Sequence, residues 1–391
     1  MTHTDIAVIG AGIGGLTLGL ALRRRGTDVQ IFEQAPELGE VGAAVALAAN
    51  GTRVLLELGL GDLAAVSVVP SELVYRGWNS TDRVVSHPIA DWYTQQFGAP
   101  FWGIHRANLQ RALVAAWGAD DLHLGRELVG LRTQGERTEL TFADGSTVSA
   151  GLVVGADGIR SRVRRWITGV GPVYSGTSGF RGLVPRSAVP DLPDPDALQF
   201  WMGPNAHVLH YAVGDTINFL AVVEGPPSWD SAGSVRPAAD GELAAVLRDW
   251  HPAVRQLVEA VPQSPRWGLF GLPPLNRWSE RGVVLLGDAA HAMLPHHGQG
   301  ANQTLEDAAV LAGCLAESTD RTVAITRYER LRRVRTRQVQ RSSWVTSPLL
   351  HLPDGADARS RDVRLHDLVE DFSWIHAYDH RALTPTGKAS A

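Results

Sequence analysis

An alternation of apolar runs and glycine at the start of the chain restricts its possible folds more than any other feature. A short apolar run at residues 6–9 is followed by the glycine motif of residues 10–15 and then by an apolar, helix-like segment at 16–25. A second apolar run at 29–32 ends in the acidic Glu33. A strand, a glycine turn, a helix and a second strand in this order, with an acidic residue about twenty positions after the glycines, predict a dinucleotide-binding fold.

The glycines of this motif each have a physical role in such a fold. Gly10 permits the tight turn, Gly12 lets the backbone approach a pyrophosphate, and Gly15 lets the helix pack closely on the strand. The free N–H groups at the helix N-terminus face the phosphates. We expect Glu33 to accept hydrogen bonds from ribose hydroxyls. The motif therefore predicts a nucleotide cofactor but leaves its identity open.

Composition excludes several classes of protein. The 391 residues are enough for two domains or one large discontinuous domain, and the formal net charge of −5 argues against a nucleic-acid or anionic-membrane partner. Cys314 is the single cysteine, so an intramolecular disulfide is impossible, and Lys388 is the single lysine, which argues against Schiff-base chemistry. We find no secretory leader before Ile6 and no apolar run of membrane-spanning length, so we expect a cytoplasmic protein.

Two further motifs have a common form, an apolar run followed by glycine and aspartate. The second motif of the chain comprises Gly155, Asp157, Gly158, Arg160 and Arg164. The third comprises Gly287, Asp288, Pro295, Gly298, Gly300 and Asn302. Its loop also carries three histidines, His291, His296 and His297.

The three motifs together resemble those of the single-component FAD-dependent aromatic hydroxylases, the group A flavoprotein monooxygenases of the para-hydroxybenzoate hydroxylase fold. Within that group the chain is most similar to the salicylate and 3-hydroxybenzoate hydroxylase branch, over roughly residues 4–350. The resemblance implies an α/β fold in which a discontinuous Rossmann-like FAD-binding domain carries an inserted, sheet-rich substrate domain and a long C-terminal helix. It also implies non-covalent FAD and transient NADH or NADPH as reductant.

The resemblance implies a role around FAD for each matched residue. Asp288 is expected to bind the ribityl chain, and the N–H groups of residues 298–302 to face the flavin N1–C2=O edge, where reduced flavin is negatively charged. Arg106 is expected near the FAD phosphates, and Arg160 and Arg164 near the phosphates of the nicotinamide cofactor. The implied cofactor-binding residues are Gly10, Gly12, Gly15, Glu33, Arg106, Gln110, Asp157, Asp288, Gly298, Gly300, Ala301 and Asn302.

Histidines in two segments are candidates for contact with the substrate. His210 and Val208 alternate with Leu209 and Tyr211, so a strand puts the two pairs on opposite faces. The resemblance implies a histidine beside the substrate at His210, where it would take the proton of a phenol. The alternative is a wall residue with its hydrogen bonds satisfied. The implied catalytic residues are His210, His296 and Pro295, and the implied substrate contacts are His210, Tyr211, His296 and His297.

The histidines of the third motif do not predict a metal site, because no carboxylate completes a ligand set beside them. The alternative to a substrate contact is that His296 and His297 hydrogen-bond to the backbone. The arginines of residues 321–341 are interpreted as the solvated face of a long helix at 321–345.

The pattern of elements predicts how the chain is divided. The FAD-binding domain is expected to comprise residues 1–72, 101–172 and 272–320. The substrate-binding domain is expected to comprise 73–100 and 173–271, where alternating strands at 180–184, 198–202, 207–213 and 217–223 dominate. A C-terminal helical region at 321–380 and a tail at 381–391 complete the chain.

The predicted function is that of an NAD(P)H-dependent FAD monooxygenase. A hydroperoxide at flavin C4a would transfer one oxygen atom of O₂ to a phenol or aromatic acid, with or without loss of CO₂. No second G-x-G-x-x-G motif is present, so the nicotinamide cofactor is expected to bind transiently in a cleft. The alternatives are a flavin-dependent epoxidase, oxidase or reductase acting on a non-phenolic substrate, and a non-catalytic flavin-binding protein. The sequence leaves monomer and homodimer open.

Overall fold

The computed structural model describes residues 2–39, 44–231, 233–261 and 263–382. Its strands are β1 (Thr2–Ile9), β2 (Val29–Phe32), β3 (Ala44–Leu47), β4 (Ser67–Val68), β5 (Glu72–Gly77), β6 (Arg83–Pro88), β7 (Trp102–His105), β8 (Leu122–His123), β9 (Leu128–Gln134), β10 (Arg137–Phe142), β11 (Thr147–Gly155), β12 (Val173–Pro185), β13 (Leu198–Gly203), β14 (Ala206–Val213), β15 (Thr216–Glu224), β16 (Val235–Arg236), β17 (Arg266–Gly271), β18 (Ser279–Glu280) and β19 (Val283–Leu285). Its helices are α1 (Ile13–Arg23), α2 (Ala49–Glu57), α3 (Ala90–Phe97), α4 (Arg106–Trp117), α5 (Arg162–Thr168), α6 (Glu242–Val246), α7 (Pro252–Glu259), α8 (Asp288–His291), α9 (Gln299–Glu317), α10 (Arg321–Leu350), α11 (Ala356–Leu365) and α12 (Leu368–His376).

The first sheet brings the three glycine motifs together. Its order is β18-β19-β11-β1-β2-β8, with the β9–β10 hairpin beside β11, and β19, β11, β1 and β2 run parallel. Valine and isoleucine fill these strands because helices cover both faces of a parallel sheet. The carboxyl ends of neighbouring parallel strands meet at one edge. The turns that follow β1, β11 and β19 therefore lie side by side, and the Ala156 N–H donates to the Ile9 carbonyl at 2.8 Å.

The second sheet separates a dry core from the site. Its order is β16-β17-β12-β15-β14-β13-β5-β6, and its pairs are antiparallel except β13 with β5. One face packs on α6 and α7 through a buried cluster that includes Phe180, Trp201, Val208, Phe219 and Trp250. The opposite face carries the alternate residues of the same strands. That second face lines the cavities described below.

Helices α9 and α10 are joined by buried ion pairs. Arg332 is fully buried and donates to both Glu306 and Asp307, and Arg335 donates to Glu306 at 2.7 Å. The interpretation of the α10 arginines as a solvated face is therefore wrong for these two, although Arg330 and Arg341 are exposed. Composition alone cannot separate the two kinds of arginine, because the acidic partners come from another helix.

The α/β class, the sheet-rich insertion and the long C-terminal helix agree with the predicted fold. α10 continues to Leu350, five residues beyond the predicted end at 345. The segment 73–100 contains α3, which the sequence pattern did not predict. The domain boundaries remain a prediction. Residues 383–391, most of the predicted tail, lie outside the described residues.

Candidate active site

A cleft of about 340 Å³ runs from the three glycine motifs to the second sheet. Its lining residues from the first sheet and its helices include Gly12, Gly14, Arg106, Gly158, Gly287, Asp288, Pro295, Gly298, Gly300 and Ala301. Those from the second sheet include Arg181, Leu209, Tyr211, Asn218 and Leu220. Of the implied cofactor and substrate residues, the cleft thus brings together representatives of all three motifs, together with Arg106 and Tyr211.

The first glycine motif has the geometry of a phosphate-binding turn. A Cβ on Gly15 would lie 1.9 Å from the Gly10 carbonyl oxygen, whereas a Cβ on Gly12 would meet no atom within 4 Å and would project into open space. Gly10 has a φ of +105°, which a side chain would strain. The Glu33 carboxylate accepts from Ala11 N–H at 2.8 Å and thereby holds the turn.

The second motif stabilises the start of helix α5 next to the cleft. Asp157 accepts from the Ser161 hydroxyl at 2.5 Å and the Arg162 N–H at 2.8 Å, although burial raises the pKa of this carboxyl. Arg164 is fully buried and donates to three backbone carbonyls. Among the described residues around the cleft, Glu33, Gln110, Asp157, Arg160 and Arg164 are not part of its lining, in contrast to Arg106. The structure therefore places Arg164 in a helix-anchoring position.

The third motif presents backbone N–H groups to the cleft. Gly298 adopts a φ of +61° immediately before α9, so the first turn of that helix faces the cavity. Asn302 fixes this turn: its side-chain oxygen accepts from Ala48 N–H at 2.9 Å, and its amide donates to the Gly298 carbonyl at 2.8 Å. An N-terminal helix turn of this kind favours negative charge.

A second, aromatic cavity of about 130 Å³ adjoins the cleft. The two share Ala46, Leu209 and Gly298. Rings dominate its wall: Tyr75, Trp92, Tyr93, Phe97, Phe101, Phe200 and Phe372. Four histidines also line it: His87, His296, His297 and His376. Helix α12 closes one side, so the C-terminal region is part of the site.

The His296 side chain lines this cavity and has no hydrogen-bond partner among the described residues. Its ring is 4% exposed, and neither Nδ1 nor Nε2 has a hydrogen-bond partner among the described residues. Burial, and after it the neighbouring His297, lower the pKa of His296 to about 3, so the ring is neutral near pH 7. His297 differs, because its Nε2 is 2.9 Å from the Ser342 hydroxyl and 3.0 Å from that of Thr346.

His210 lies on the wrong face of the second sheet for contact with substrate. It is fully buried, and its Nε2 accepts from the Trp201 indole at 3.0 Å within the dry core. It lines neither cavity, whereas Leu209 and Tyr211 do. The alternation of β14 was interpreted correctly, but the face was not. The prediction of His210 as base or substrate contact is corrected accordingly.

The sequence did not lead us to His207 or to the residues that α12 contributes to the aromatic cavity. His207 shares the cavity-side face of β14 with Leu209, its Nδ1 is 2.8 Å from His351 Nε2, and its ring centroid is 5.2 Å from that of His296. The period of two in β14 could have identified it. His376, whose Nδ1 is 2.5 Å from the Tyr93 hydroxyl, gave no sequence signal, since it lies far along the chain from the motifs.

The described residues contain neither a metal-binding cluster nor a membrane-spanning helix. We find no group of three histidine, cysteine or carboxylate side chains positioned to hold a metal ion. No helix in that part of the chain has the length and apolarity that crossing a membrane requires.

Comparison with known proteins identifies the family. The profile of a family described as an FAD binding domain matches residues 3–343. The 3-amino-4-hydroxybenzoate 2-monooxygenase of Streptomyces cremeus is 41% identical over 377 residues, which cover 95% of this chain and 94% of that enzyme. A salicylate hydroxylase of Pseudomonas putida is 34% identical, over 96% of this chain and 92% of that enzyme.

Solved structures agree with this assignment. A salicylate hydroxylase in complex with substrate superimposes with a TM-score of 0.85 at 29% identity, covering 99% of this chain and all of the other. Klebsiella pneumoniae HpxO, in complex with FAD and uric acid, gives a TM-score of 0.84 at 26% identity, over 98% of each chain. The chain therefore belongs to the FAD-binding family of flavoprotein hydroxylases with the para-hydroxybenzoate hydroxylase fold, and it is an FAD-dependent aromatic monooxygenase.

Proposed function

We propose that this enzyme hydroxylates a phenolic aromatic acid whose ring binds where the cleft and the aromatic cavity meet. His296 carries the proposal, because it is a buried ring with two unpartnered nitrogens in the wall of the aromatic cavity, and it follows Pro295, which lines the cleft. A buried polar group without a partner costs free energy, which a ligand that hydrogen-bonds to it restores. Relatives named for 3-amino-4-hydroxybenzoate support a phenol with a neighbouring amino group and a carboxylate as the first substrate to test.

The residues of the cleft fit FAD. The open space at Gly12 leaves room for a pyrophosphate, and Arg106 supplies a cation beside it. Asp288 would accept from the ribityl hydroxyls, and the N–H groups of Gly300 and Ala301 would bind the flavin edge that becomes negative on reduction. When bound, FAD would supply the redox chemistry by which NAD(P)H reduces O₂, so that one oxygen atom of O₂ goes to the ring and the other to water.

The remaining residues bind and activate the ring. The aromatic wall excludes water, which protects a reactive oxygen donor from side reactions. A phenol becomes more electron-rich as its O–H proton is withdrawn, and that O–H becomes strongly acidic while oxygen adds to the ring. A neutral His296 nitrogen is therefore able to accept the hydrogen bond first and the proton as the reaction proceeds. Pro295 lines the cleft beside this histidine and fixes the course of the loop.

The proposal is tested by measuring the consumption of NAD(P)H and O₂ and the incorporation of oxygen into the product. Purified protein saturated with FAD is mixed with NADH or NADPH, ¹⁸O₂ and 3-amino-4-hydroxybenzoate, with salicylate and 3-hydroxybenzoate in parallel. We expect equal consumption of reductant and O₂ and one ¹⁸O atom in the product, and mass spectrometry will also show whether CO₂ is lost. Reductant oxidation that releases only hydrogen peroxide with every phenolic acid would contradict the proposed function.

A further inference from the structure

One row of side chains crosses the floor of both cavities. The register pairs Arg181 with Leu220, Leu220 with Leu209, Leu209 with Phe200, and Phe200 with Tyr75. Directly paired residues of neighbouring strands share one face of a sheet. The row therefore lies beneath the aromatic cavity at Tyr75 and Phe200, beneath the junction at Leu209, and beneath the cleft at Leu220 and Arg181.

Arg181 is the cationic end of this row. Its guanidinium lies 5.0 Å from the centroid of the Trp267 ring, and none of the described carboxylates forms an ion pair with it. Burial, and after it the charge of Arg106, lower the pKa of Arg181, and the Tyr211 phenol opposes this shift. An arginine retains its charge under such conditions. A half-buried charge without a counter-ion is destabilising unless a ligand supplies one.

The aromatic cavity offers a carboxylate no comparable partner. Its described lining consists of aliphatic, aromatic, glutamine and histidine side chains, without arginine or lysine. Three of its histidines, His296, His297 and His376, have pKa values lowered to about 3, 4 and 4, chiefly by burial, and are uncharged near neutral pH. Placing a carboxylate against these walls would be unfavourable, because its charge would lose water without gaining a cationic partner.

The distance between Arg181 and Leu209 along this row fits the length of a benzoate. Neighbouring strands lie about 4.8 Å apart, so the Arg181 backbone is roughly 10 Å from that of Leu209. An arginine side chain and one aromatic ring together span this distance. With the phenol oxygen at His296 and the ring over Leu209, the opposite side of the ring would be directed toward the part of the row that lines the cleft, Leu220 and Arg181.

We propose that Arg181 binds the carboxylate of the aromatic substrate and so selects aromatic acids over the corresponding neutral phenols. This inference rests on the proposed function, since it needs the ring at the junction of the cavities. The pairing would be bidentate, because the planar guanidinium matches a carboxylate, and the Trp267 ring would hold its plane.

The test compares 3-amino-4-hydroxybenzoate with 2-aminophenol, the same ring without its carboxylate. Dissociation constants are measured without turnover, from the change in FAD absorbance when each compound binds to the oxidised, FAD-loaded enzyme. We expect the wild type to bind the acid at least tenfold more tightly than the phenol. In Arg181→Met, which retains contact with Trp267, the acid should bind roughly 30-fold more weakly, and the phenol within threefold of wild type.

Two further variants keep the test decisive. Arg181→Lys retains the positive charge but not the planar guanidinium that pairs with a carboxylate in a bidentate manner. Its affinity for the aromatic acid should therefore lie between those of wild type and Arg181→Met. Arg186→Met, at an exposed arginine just after the same strand, should change neither ligand. The wild-type preference also tests the proposal if Arg181→Met does not fold.

Three results would overturn the assignment of Arg181. They are equal weakening of acid and phenol in Arg181→Met, loss of FAD with an unchanged ratio of the two affinities, and a wild type that binds both compounds equally. Failure of the proposed function gives a different result, in which neither compound perturbs the flavin nor supports ¹⁸O incorporation in the wild type.

Discussion

At the scale of single residues, the histidines show where sequence reasoning ends. Alternation along β14 correctly separates His210 from Tyr211, but it cannot say which face meets the cavity. That choice depends on α6 and α7, which cover one face from elsewhere in the chain. His296 was identified because its motif already belongs to the cofactor loop. His207 was missed although Tyr211, on the same face of the strand, was already a candidate substrate contact.

Substitution of His296 should remove chemistry and leave the cofactor bound. In His296→Gln we expect hydroxylated product to form roughly 10²-fold more slowly, because the phenol loses its proton acceptor, with unchanged FAD content. The matched control is His210→Gln, which keeps an acceptor for Trp201 on the dry face and should retain activity within threefold. Product formation is measured by chromatography under saturating NAD(P)H. Equal losses in both variants, or none in His296→Gln, would contradict the role of His296.

Substitution of two glycines in the first motif should affect different properties, FAD affinity at Gly12 and stability at Gly15. Gly12→Ala should fold normally and bind FAD more weakly, because its methyl group enters open space along the cleft. Gly15→Ala should destabilise even the FAD-free protein, because its methyl group would overlap the Gly10 carbonyl. Thermal unfolding of the FAD-free variants, followed by FAD titration, separates the two effects. A stable Gly15→Ala with normal FAD affinity would contradict the close packing of α1 on β1.

At the scale of elements, the sequence predicts the strands and turns of the first sheet well, because parallel strands and glycine turns have strong local signals. Asp157 is an instructive exception, since its motif was recognised but its hydrogen bonds from the first N–H groups of α5, those of Arg162 and Val163, emerged only from the fold. The contribution of α12 to the aromatic cavity could not be predicted. Its wall residues, such as Phe372, belong to a helix whose position is set by long-range contacts, including those from Arg335 to the carbonyls of Trp374 and Ile375.

The ion pairs between α9 and α10 should be essential for stability. Arg332→Met would leave Glu306 and Asp307 buried without one cation, which costs about 3–5 kcal/mol of unfolding free energy. Asp307 also accepts from the Gly287 N–H at 2.9 Å, so FAD affinity should fall as well. Arg330→Met, at an exposed position on the same helix, should stay within about 0.5 kcal/mol of wild type. Urea unfolding measures both, and similar stabilities for the two variants would contradict this account.

At the scale of the whole molecule, the buried histidines make stability depend on pH. Burial is the first cause of the lowered pKa in each case, to about 3 in His210 and His296 and to about 4 in His297, His351 and His376. The unfolded chain binds protons at these residues below about pH 6.5, while the folded chain does not. Their stability contribution is therefore fully present above pH 6.5 and is lost as the pH falls toward these values.

This linkage predicts a steep loss of stability in mild acid. Each such histidine contributes a slope of up to about 1.4 kcal/mol per pH unit between pH 6.5 and 4.5, above the range in which most carboxylates titrate. His210→Gln should reduce the dependence of the unfolding free energy on pH by up to about 1.4 kcal/mol per pH unit, the contribution of one proton. Urea unfolding at half-unit pH intervals provides the measurement. A free energy of unfolding that is flat across this range would show that these histidines are protonated in the folded protein.

The most direct measurement of the central claim is a crystal structure of the FAD-loaded enzyme with a phenolic acid that it hydroxylates. We predict the flavin in the cleft against Gly300 and Ala301, the aromatic ring above Leu209, and the phenol oxygen within hydrogen-bond distance of His296. A ring bound away from this junction, or a phenol oxygen that contacts groups other than His296, would contradict the account.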